Sequence, residues 1–228
     1  PFANIAIGQS SVIADHLGTR LAEYHVTESG FGSDIGYEKF WNLKCRYSGL
    51  RPHAVVIVAT IRALKMHGGG PAVKPGLRLD EAYTRENLAL LEAGCANLAA
   101  HIRIVSASGV RPVVCINSFP TDTAAEVDLI RRVAEQHGAL AAVSQHWLKG
   151  GDGALELADA VMAAAAEQRQ FRFLYDMDTS IGARIERIAR HVYGAAGVSY
   201  APAAQAKLAR FEADPACRDM GICMAKTH

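Results

Sequence analysis

Short apolar runs alternate along this chain with longer segments in which apolar residues recur every three or four positions. This alternation is typical of βαβ units, in which parallel strands form a sheet and helices cover it. It therefore predicts an α/β fold with a mainly parallel sheet and flanking helices, followed by a mostly helical segment. The predicted strands are residues 3–7, 23–28, 54–60, 112–117 and 140–144.

The amphipathic segments predict the helices. In residues 122–136, Val127, Ile130 and Val133 recur with a helical period, and Thr121 or Asp122 is the expected cap. A long helix is expected from Thr84, as its cap, to residue 107. The remaining predicted helices are 154–168, 180–193 and 202–212. Residues 67–81 are rich in Gly and Pro and predict an irregular stretch, either a mobile flap or a solvated connection.

Composition narrows the class of protein. The 228 residues are 50% hydrophobic, which suffices for one large domain or two small ones. Basic and acidic residues, 24 and 23, are well mixed, so nothing suggests a nucleic-acid partner. No apolar run approaches the roughly 20 residues of a membrane span. The odd number of cysteines, without metal spacing, fits the cytoplasm. We interpret the two termini, Pro1 and His228, as cut ends of a longer protein.

Two predicted strands end in turns that each carry an aromatic residue. Phe119 follows the strand that stops at Asn117, and Trp147 follows the strand 140–144. Open α/β sheets bind ligands at the carboxyl ends of their strands. We therefore predict that Phe119 and Trp147 clamp a planar ligand while the amide of Asn117 contacts a polar edge of it.

Two residues of this clamp, Asn117 and Trp147, have structural alternatives. The Asn117 amide would also suit a local bond that closes the turn. Trp147 would also suit packing beneath the loop that follows it. That loop contains Gly150 and Gly151, a composition that suits either an anion-binding loop or a flexible connection to the next helix.

A glycine-rich loop follows the predicted strand 23–28. Gly30 and Gly32 flank Phe31, and glycines allow a backbone to approach a ligand closely. The carboxylates of Glu28 and Asp34 would suit a metal or a cationic ring edge. The alternative is a plain tight turn before a helix.

Two cations follow the predicted strand 54–60. Arg62 and Lys65 would carry positive charge to the sheet edge, where it suits a phosphate or carboxylate. His67 is a weaker acid–base candidate, because a lone histidine is more often structural or solvated. Gly68–Gly70 is not a phosphate-binding loop, because the Gly-Lys-Ser/Thr ending is missing.

Taken together, these motifs resemble the formate–tetrahydrofolate ligase family. The matching segments are Pro1-Phe-Ala-Asn-Ile-Ala, Thr27-Glu-Ser-Gly-Phe-Gly-Ser-Asp, Ala59-Thr-Ile-Arg-Ala-Leu-Lys-Met-His-Gly-Gly, Asn117-Ser-Phe-Pro-Thr-Asp-Thr, Trp147-Leu-Lys-Gly-Gly-Asp-Gly, Tyr193-Gly-Ala-Ala-Gly-Val and Cys223-Met-Ala-Lys-Thr. Two departures are Ile7-Gly-Gln-Ser-Ser, where many members have His-Gly-Cys-Asn-Ser, and a longer insert after Gly70.

The resemblance implies a reaction. ATP and formate give formyl phosphate, and tetrahydrofolate then takes the formyl group to form 10-formyltetrahydrofolate. ATP with Mg²⁺ is implied, K⁺ or NH₄⁺ often supports activity, and the family assembles as homo-oligomers, as tetramers. The aromatics matching Phe119 and Trp147 sandwich the pterin ring, and the one matching Phe31 lies near the site. Arg62 and Lys65 become candidates for contacting the transferred phosphoryl group.

The resemblance also shapes the expected organisation. Residues 1–150 would be part of a P-loop-like nucleotide- and folate-binding domain whose first strands are missing, and 151–228 a helical segment beside it. The Gly loops around Gly30 and Gly150 would lie close to the nucleotide. The isolated chain is expected to be inactive. Two other interpretations are a stand-alone folate- or purine-binding module without catalysis and a purely structural remnant.

Overall fold

The computed structural model describes residues 9–74, 76, 78–168 and 170–225. The predicted strand 3–7 lies outside the described residues. The chain forms two compact units: one is Pro52–Gln170, and the other joins Pro1–Arg51 with Phe171–His228. The predicted division at residue 150 falls inside the first of these units. The division of the chain into domains therefore stays a prediction.

The unit Pro52–Gln170 is built on a parallel sheet of three strands, which confirms the α/β fold. The strands are β1 (Ala54–Ala59), β2 (Arg111–Asn117) and β3 (Leu140–Ser144), and they lie in the order β1-β2-β3. Residues 112–116 of β2 are buried, as expected for a central strand covered on both faces. Asn117 pairs with Ser144, so β2 and β3 end level with each other.

The described α-helices are α1 (Val12–Leu21), α2 (Cys45–Ser48), α3 (Ile61–His67), α4 (Glu81–Thr84), α5 (Leu88–Ala107), α6 (Ala124–Gln136), α7 (His146–Lys149), α8 (Leu155–Ala166), α9 (Ile181–Tyr193) and α10 (Pro202–Ala213). Two π-helical turns, Ser33–Tyr37 and Phe40–Lys44, precede α2, and a 3₁₀ turn, Gly150–Ala154, precedes α8.

The predicted strand 23–28 is wrong. Residues 25–28 have no regular secondary structure, and the neighbouring Ser29 makes only an isolated bridge with Gln9. Val26, which made the segment resemble a strand, is 88% exposed. Without a partner strand among the described residues, its backbone groups have no ladder to join.

Two predicted helix starts are also wrong. Helix α5 begins at Leu88, because the Asn87 side chain accepts a hydrogen bond from the Leu90 N–H, whereas Thr84 ends the short helix α4. Helix α6 is capped by Thr123 rather than by Thr121 or Asp122. Thr123 and Glu126 form a capping box, so each side chain bonds the other's backbone N–H.

The core of this unit lies between the sheet and helices α3, α5 and α6. Apolar residues from all of them form one buried cluster that includes Ile61, Leu98, Ile116 and Ile130. Helices α3 and α5 approach so closely that a Cβ on Gly94 would collide with the carbonyl oxygen of Leu64. Helix α8 contacts all three strands.

Among the described residues, α5 alone is long and apolar enough to span a membrane. Leu91, Leu98 and Ile102 of α5 are nevertheless buried inside the unit. The core helix of a globular protein passes the same test, so the length of α5 is weak evidence for a span.

A buried ion pair joins three segments of this unit. The Lys65 Nζ lies 2.5 Å from Glu126 Oε1 and donates to the Arg85 carbonyl oxygen at 2.7 Å. The same carboxylate accepts the N–H groups of Asn87, at 3.0 Å, and Thr123, at 3.2 Å. Glu126 thereby connects α3, the start of α5 and the start of α6.

The pKa of Glu126 reflects two opposing causes. Burial alone raises it, but the hydrogen bonds from Lys65, Asn87 and Thr123 outweigh burial, so the pKa lies below its usual value. The ionised form is therefore the one that the fold stabilises.

The unit formed by the two ends of the chain has its own buried anchors. Trp41 is 1% exposed, and its indole N–H donates to the Arg172 carbonyl oxygen at 2.7 Å. Arg184 is buried and donates to backbone carbonyl oxygens that include those of Thr179 and Met220. Asp15 pairs with Lys44 at 2.5 Å.

Replacing Lys65 with methionine leaves Glu126 buried without its cation. We expect the free energy of unfolding to fall by about 3–5 kcal/mol, measured by urea denaturation. Arg132→Met, which removes an exposed cation on α6, is the control and changes it by less than about 0.5 kcal/mol. An equal, small effect of both substitutions would contradict the buried pair.

The pH dependence of unfolding has a definite sign at Glu126. Because its pKa is lowered in the folded state, Glu126 stabilises the fold above its unfolded-state pKa. This stabilisation is lost as the pH falls through the lower, folded-state pKa. We therefore expect the free energy of unfolding of Glu126→Gln, measured by urea denaturation at a series of acidic pH values, to fall less steeply with decreasing pH than that of the wild type.

Candidate functional site

A shallow cleft of about 90 Å³ opens at the carboxyl ends of β2 and β3. Its lining residues, which we call the strand-end cleft, are Asn117, Ser118, Phe119, Pro120, Gln145, His146, Trp147 and Leu148. The two turns lie side by side because β2 and β3 end level, and the Ser118 N–H donates to the Ser144 carbonyl oxygen at 3.0 Å. Three residues predicted to bind substrate, Asn117, Phe119 and Trp147, therefore line one cleft.

Trp147 is the most exposed aromatic residue of this cleft, at 83%. It lies on the short helix α7 and does not pack beneath the loop that follows. The Gln145 N–H closes that loop by donating to the Gly153 carbonyl oxygen at 2.8 Å. Gly153 must be glycine here, because a Cβ would collide with the Gln145 carbonyl group. An indole held at a cleft yet open to solvent is suited to stacking on a flat ligand.

Phe119 is half-buried and anchored through its backbone. Its N–H donates to Asp122 Oδ2 at 2.8 Å. Burial raises the pKa of Asp122, although this hydrogen bond and Arg62 oppose the shift. Among the described residues, no stacking contact joins the Phe119 and Trp147 rings. Both rings therefore border the cleft, and they do not close it by stacking on each other.

The Asn117 side chain makes no hydrogen bond within the described part of the chain. The turn is closed instead by the Phe119 N–H, which donates to Asp122 Oδ2, and by the Asp122 N–H, which donates to the Phe119 carbonyl oxygen. The local bond considered for Asn117 is thus not formed. Its amide, with two donor hydrogens and an acceptor oxygen, stays available to a ligand in the cleft.

Arg62 and Lys65 lie in α3 but have different surroundings. The Arg62 guanidinium stacks over the Phe119 ring, with Cζ 4.1 Å from the ring centroid, and its Nη2 donates to Thr121 Oγ1 at 3.1 Å. Lys65 is buried in its ion pair with Glu126. This geometry favours a structural role for Lys65. His67 ends α3 as an exposed side chain.

The glycine-rich loop belongs to the other unit. Phe31 is the one described non-glycine residue with a positive φ, +63°, and its side chain is 63% exposed. A Cβ on Gly36 would collide with the carbonyl oxygen of Gly30, so the loop packs backbone to backbone. The Asp34 carbonyl oxygen accepts the Tyr193 hydroxyl at 2.6 Å. Non-glycine residues in this conformation cluster at functional sites.

The remaining predicted loop residues are exposed; they are Glu28, Gly32, Gly150 and Gly151. Gly150 has φ +61° and ψ −144°, a conformation that only glycine adopts readily, and Gly151 lies in open space. The described residues include no cluster of His, Cys, Asp or Glu that fits a metal ion. Proximity of these glycines to a nucleotide stays a prediction.

Comparison with known proteins decides the family. A sequence model of formate–tetrahydrofolate ligase matches residues 1–228. The chain belongs to the formate–tetrahydrofolate ligase family. It is 62% identical to a formate–tetrahydrofolate ligase of Dehalococcoides mccartyi and covers 38% of that protein. Identity is 58% to that of Desulforapulum autotrophicum and 60% to that of Lawsonia intracellularis, with 39% of each covered. The chain thus spans well under half the length of these relatives.

In this member of the ligase family, two polar residues near the predicted aromatics have contacts that the sequence motifs did not predict. His146 lines the cleft, and its Nδ1 lies 2.8 Å from the hydroxyl oxygen of the buried Ser144. Asp122, expected as a helix cap, anchors the Phe119 backbone instead. Their position in the sequence could have indicated these two residues, because each lies within three residues of a predicted aromatic.

Replacing Phe31 tests the left-handed backbone of the ligase-family loop. Phe31→Gly should be more stable to urea than Phe31→Ala by about 1 kcal/mol, because only glycine adopts a positive φ without strain. The pair is matched, since both variants remove the same exposed ring. Equal stability of the two variants would contradict the observed backbone.

Proposed function

We propose that this chain contributes the tetrahydrofolate site of an ATP-dependent ligase. The enzyme would convert formate to formyl phosphate and transfer the formyl group to tetrahydrofolate, giving 10-formyltetrahydrofolate, ADP and phosphate. The single observation that carries the proposal is the strand-end cleft with Phe119, Trp147 and the available amide of Asn117. The relatives of this chain carry the name formate–tetrahydrofolate ligase, which names both substrates.

The cleft has the features that a pterin requires. A pterin is flat, so stacking on the exposed indole of Trp147 and on Phe119 would bury both of its faces. Each aromatic contact contributes about 0.5–1.5 kcal/mol beyond the buried area. The pterin edge alternates hydrogen-bond donors and acceptors, which matches the amide of Asn117.

Formate activation is assigned mainly to other parts of the enzyme. The printed sequence contains no Gly-Lys-Ser/Thr loop for the ATP phosphates. The described residues include no group of three or more His, Cys, Asp or Glu that could hold a metal ion, so in this proposal Mg²⁺ binds together with ATP. The catalytic roles predicted for Arg62 and Lys65 stay predictions, and their contacts favour supporting roles. A cytoplasmic location, a homo-oligomeric, tetrameric assembly and the use of K⁺ or NH₄⁺ belong to the same proposal.

A folate- or purine-binding module without catalysis is the second candidate. The same cleft favours it, because two stacking rings and one amide also suit a purine. Competition separates the ligands: the ligase proposal requires that adenosine or inosine at millimolar concentration leave tetrahydrofolate bound.

The two tryptophans make binding measurable inside the chain. Trp41 is 1% exposed and Trp147 83% exposed, so the difference between wild-type and Trp147→Phe spectra isolates Trp147. We expect anaerobic titration with tetrahydrofolate to quench this difference signal. Calorimetry should show that Phe119→Ala raises Kd at least about fivefold, because a stacking face is lost.

Tyr47→Ala is the control for this titration, since Tyr47 is an exposed aromatic in the other unit. It should bind tetrahydrofolate as the wild type does. Saturable binding that neither quenches Trp147 nor depends on Phe119 would place the folate elsewhere.

The 228-residue chain alone should release no ADP in response to formate. The reason is the missing Gly-Lys-Ser/Thr loop, since backbone N–H groups of such a loop cradle the phosphates. A coupled assay for ADP, with and without formate, measures this. Formate-dependent release from the purified chain would show that activation occurs within it.

A further inference from the structure

Arg62 covers one side of the Phe119 ring. The guanidinium carbon lies 4.1 Å from the ring centroid, which is stacking distance, and Nη2 is tied to Thr121 in the same turn. Thr60 caps α3 by accepting the Ala63 N–H, so Arg62 leaves the first turn of a helix with a fixed start. The guanidinium therefore connects a rigid helix to the turn that carries Phe119.

The strand-end cleft also borders the Phe119 residue. Phe119 lines the strand-end cleft, whereas Arg62 is not among the residues that line it. The Phe119 backbone is already fixed by Asp122, so the guanidinium restrains what remains free, the rotation of the side chain. A ligand stacking on Phe119 from the cleft would complete a layered stack of guanidinium, phenyl ring and pterin.

A cation on one face of an aromatic ring also changes the other face. It draws π-electron density toward itself, which makes the opposite face less negative. Tetrahydropterin is electron-rich, because its N5 and N8 are amine nitrogens that donate into the ring, whereas an oxidised pterin is electron-poor. An electron-depleted phenyl face stacks better on the electron-rich partner.

We propose that Arg62 is a positioning residue that holds the Phe119 ring for stacking and favours reduced over oxidised pterins. The inference rests on the proposed function, since it assumes a folate in the strand-end cleft. It assigns to Arg62 a role through Phe119 rather than a contact with the transferred phosphoryl group. A lysine should replace it poorly, because an ammonium group lacks the planar face and the donor fork, bonded to Thr121, that hold the charge of Arg62 against the ring.

The test compares Arg62→Met and Arg62→Lys with wild type by anaerobic calorimetry, using tetrahydrofolate and folic acid as the two ligands. We expect Arg62→Met to raise Kd for tetrahydrofolate about three- to tenfold, the scale of a lost preorganised stack. Kd for folic acid should change less, so the preference for the reduced ligand shrinks at least twofold. Arg62→Lys should resemble Arg62→Met. Arg132→Met, an exposed arginine on α6, should bind as the wild type does.

Ligand-free NMR tests the stack itself. The Arg62 Hδ and Hε signals should be shifted upfield by the Phe119 ring current, and Phe119→Leu should abolish this shift. An absent shift overturns the inference, as do equal losses for both ligands or rescue by Arg62→Lys, since these indicate a structural or purely charged role. A wild-type chain that binds neither ligand overturns the proposed function as well. Unchanged selectivity with intact wild-type binding overturns the inference alone.

Discussion

The site depends on the ion pair and hydrogen bonds of one buried carboxylate, that of Glu126. This carboxylate pairs with Lys65 of α3 and accepts hydrogen bonds from the N–H groups of Asn87 and Thr123. It thereby fixes the starts of α5 and α6 against α3. The turn that carries Phe119 leads directly into α6, and its other end is the rigid strand β2. Because interiors are close-packed and transmit strain, a shift of α6 would move the turn. The cleft is therefore positioned by a charge pair that lies outside it.

The elements that were predicted correctly have a local sequence pattern, and many apolar residues of that pattern are buried in the fold. Strands β1, β2 and β3 were predicted nearly in place because their apolar runs end sharply, at Asn117 for example. Helix α9 was predicted because Ser180 caps it and its apolar residues share one face. Parallel pairing then brought Phe119 and Trp147 to one edge, which is why the cleft itself was predictable.

The misses came from tertiary structure that a local pattern does not contain. The segment 23–28 looks like a strand, yet among the described residues only the neighbouring Ser29 makes a bridge, with Gln9. Thr123 caps α6 because Glu126 completes its capping box, and Glu126 is also held by Lys65, far away in sequence. For the same reason, Lys65 was expected to carry its charge to the sheet edge rather than into a buried ion pair. Its burial follows from a partner 61 residues further along the chain, at Glu126.

A crystal structure of this chain grown anaerobically with tetrahydrofolate would test the proposed binding site most directly. We expect the pterin ring to lie in the strand-end cleft, stacked on Phe119 and Trp147, with a hydrogen bond to the Asn117 amide and with the Arg62 guanidinium over the other face of Phe119. A pterin bound elsewhere, with Trp147 still exposed to solvent, would contradict this expectation.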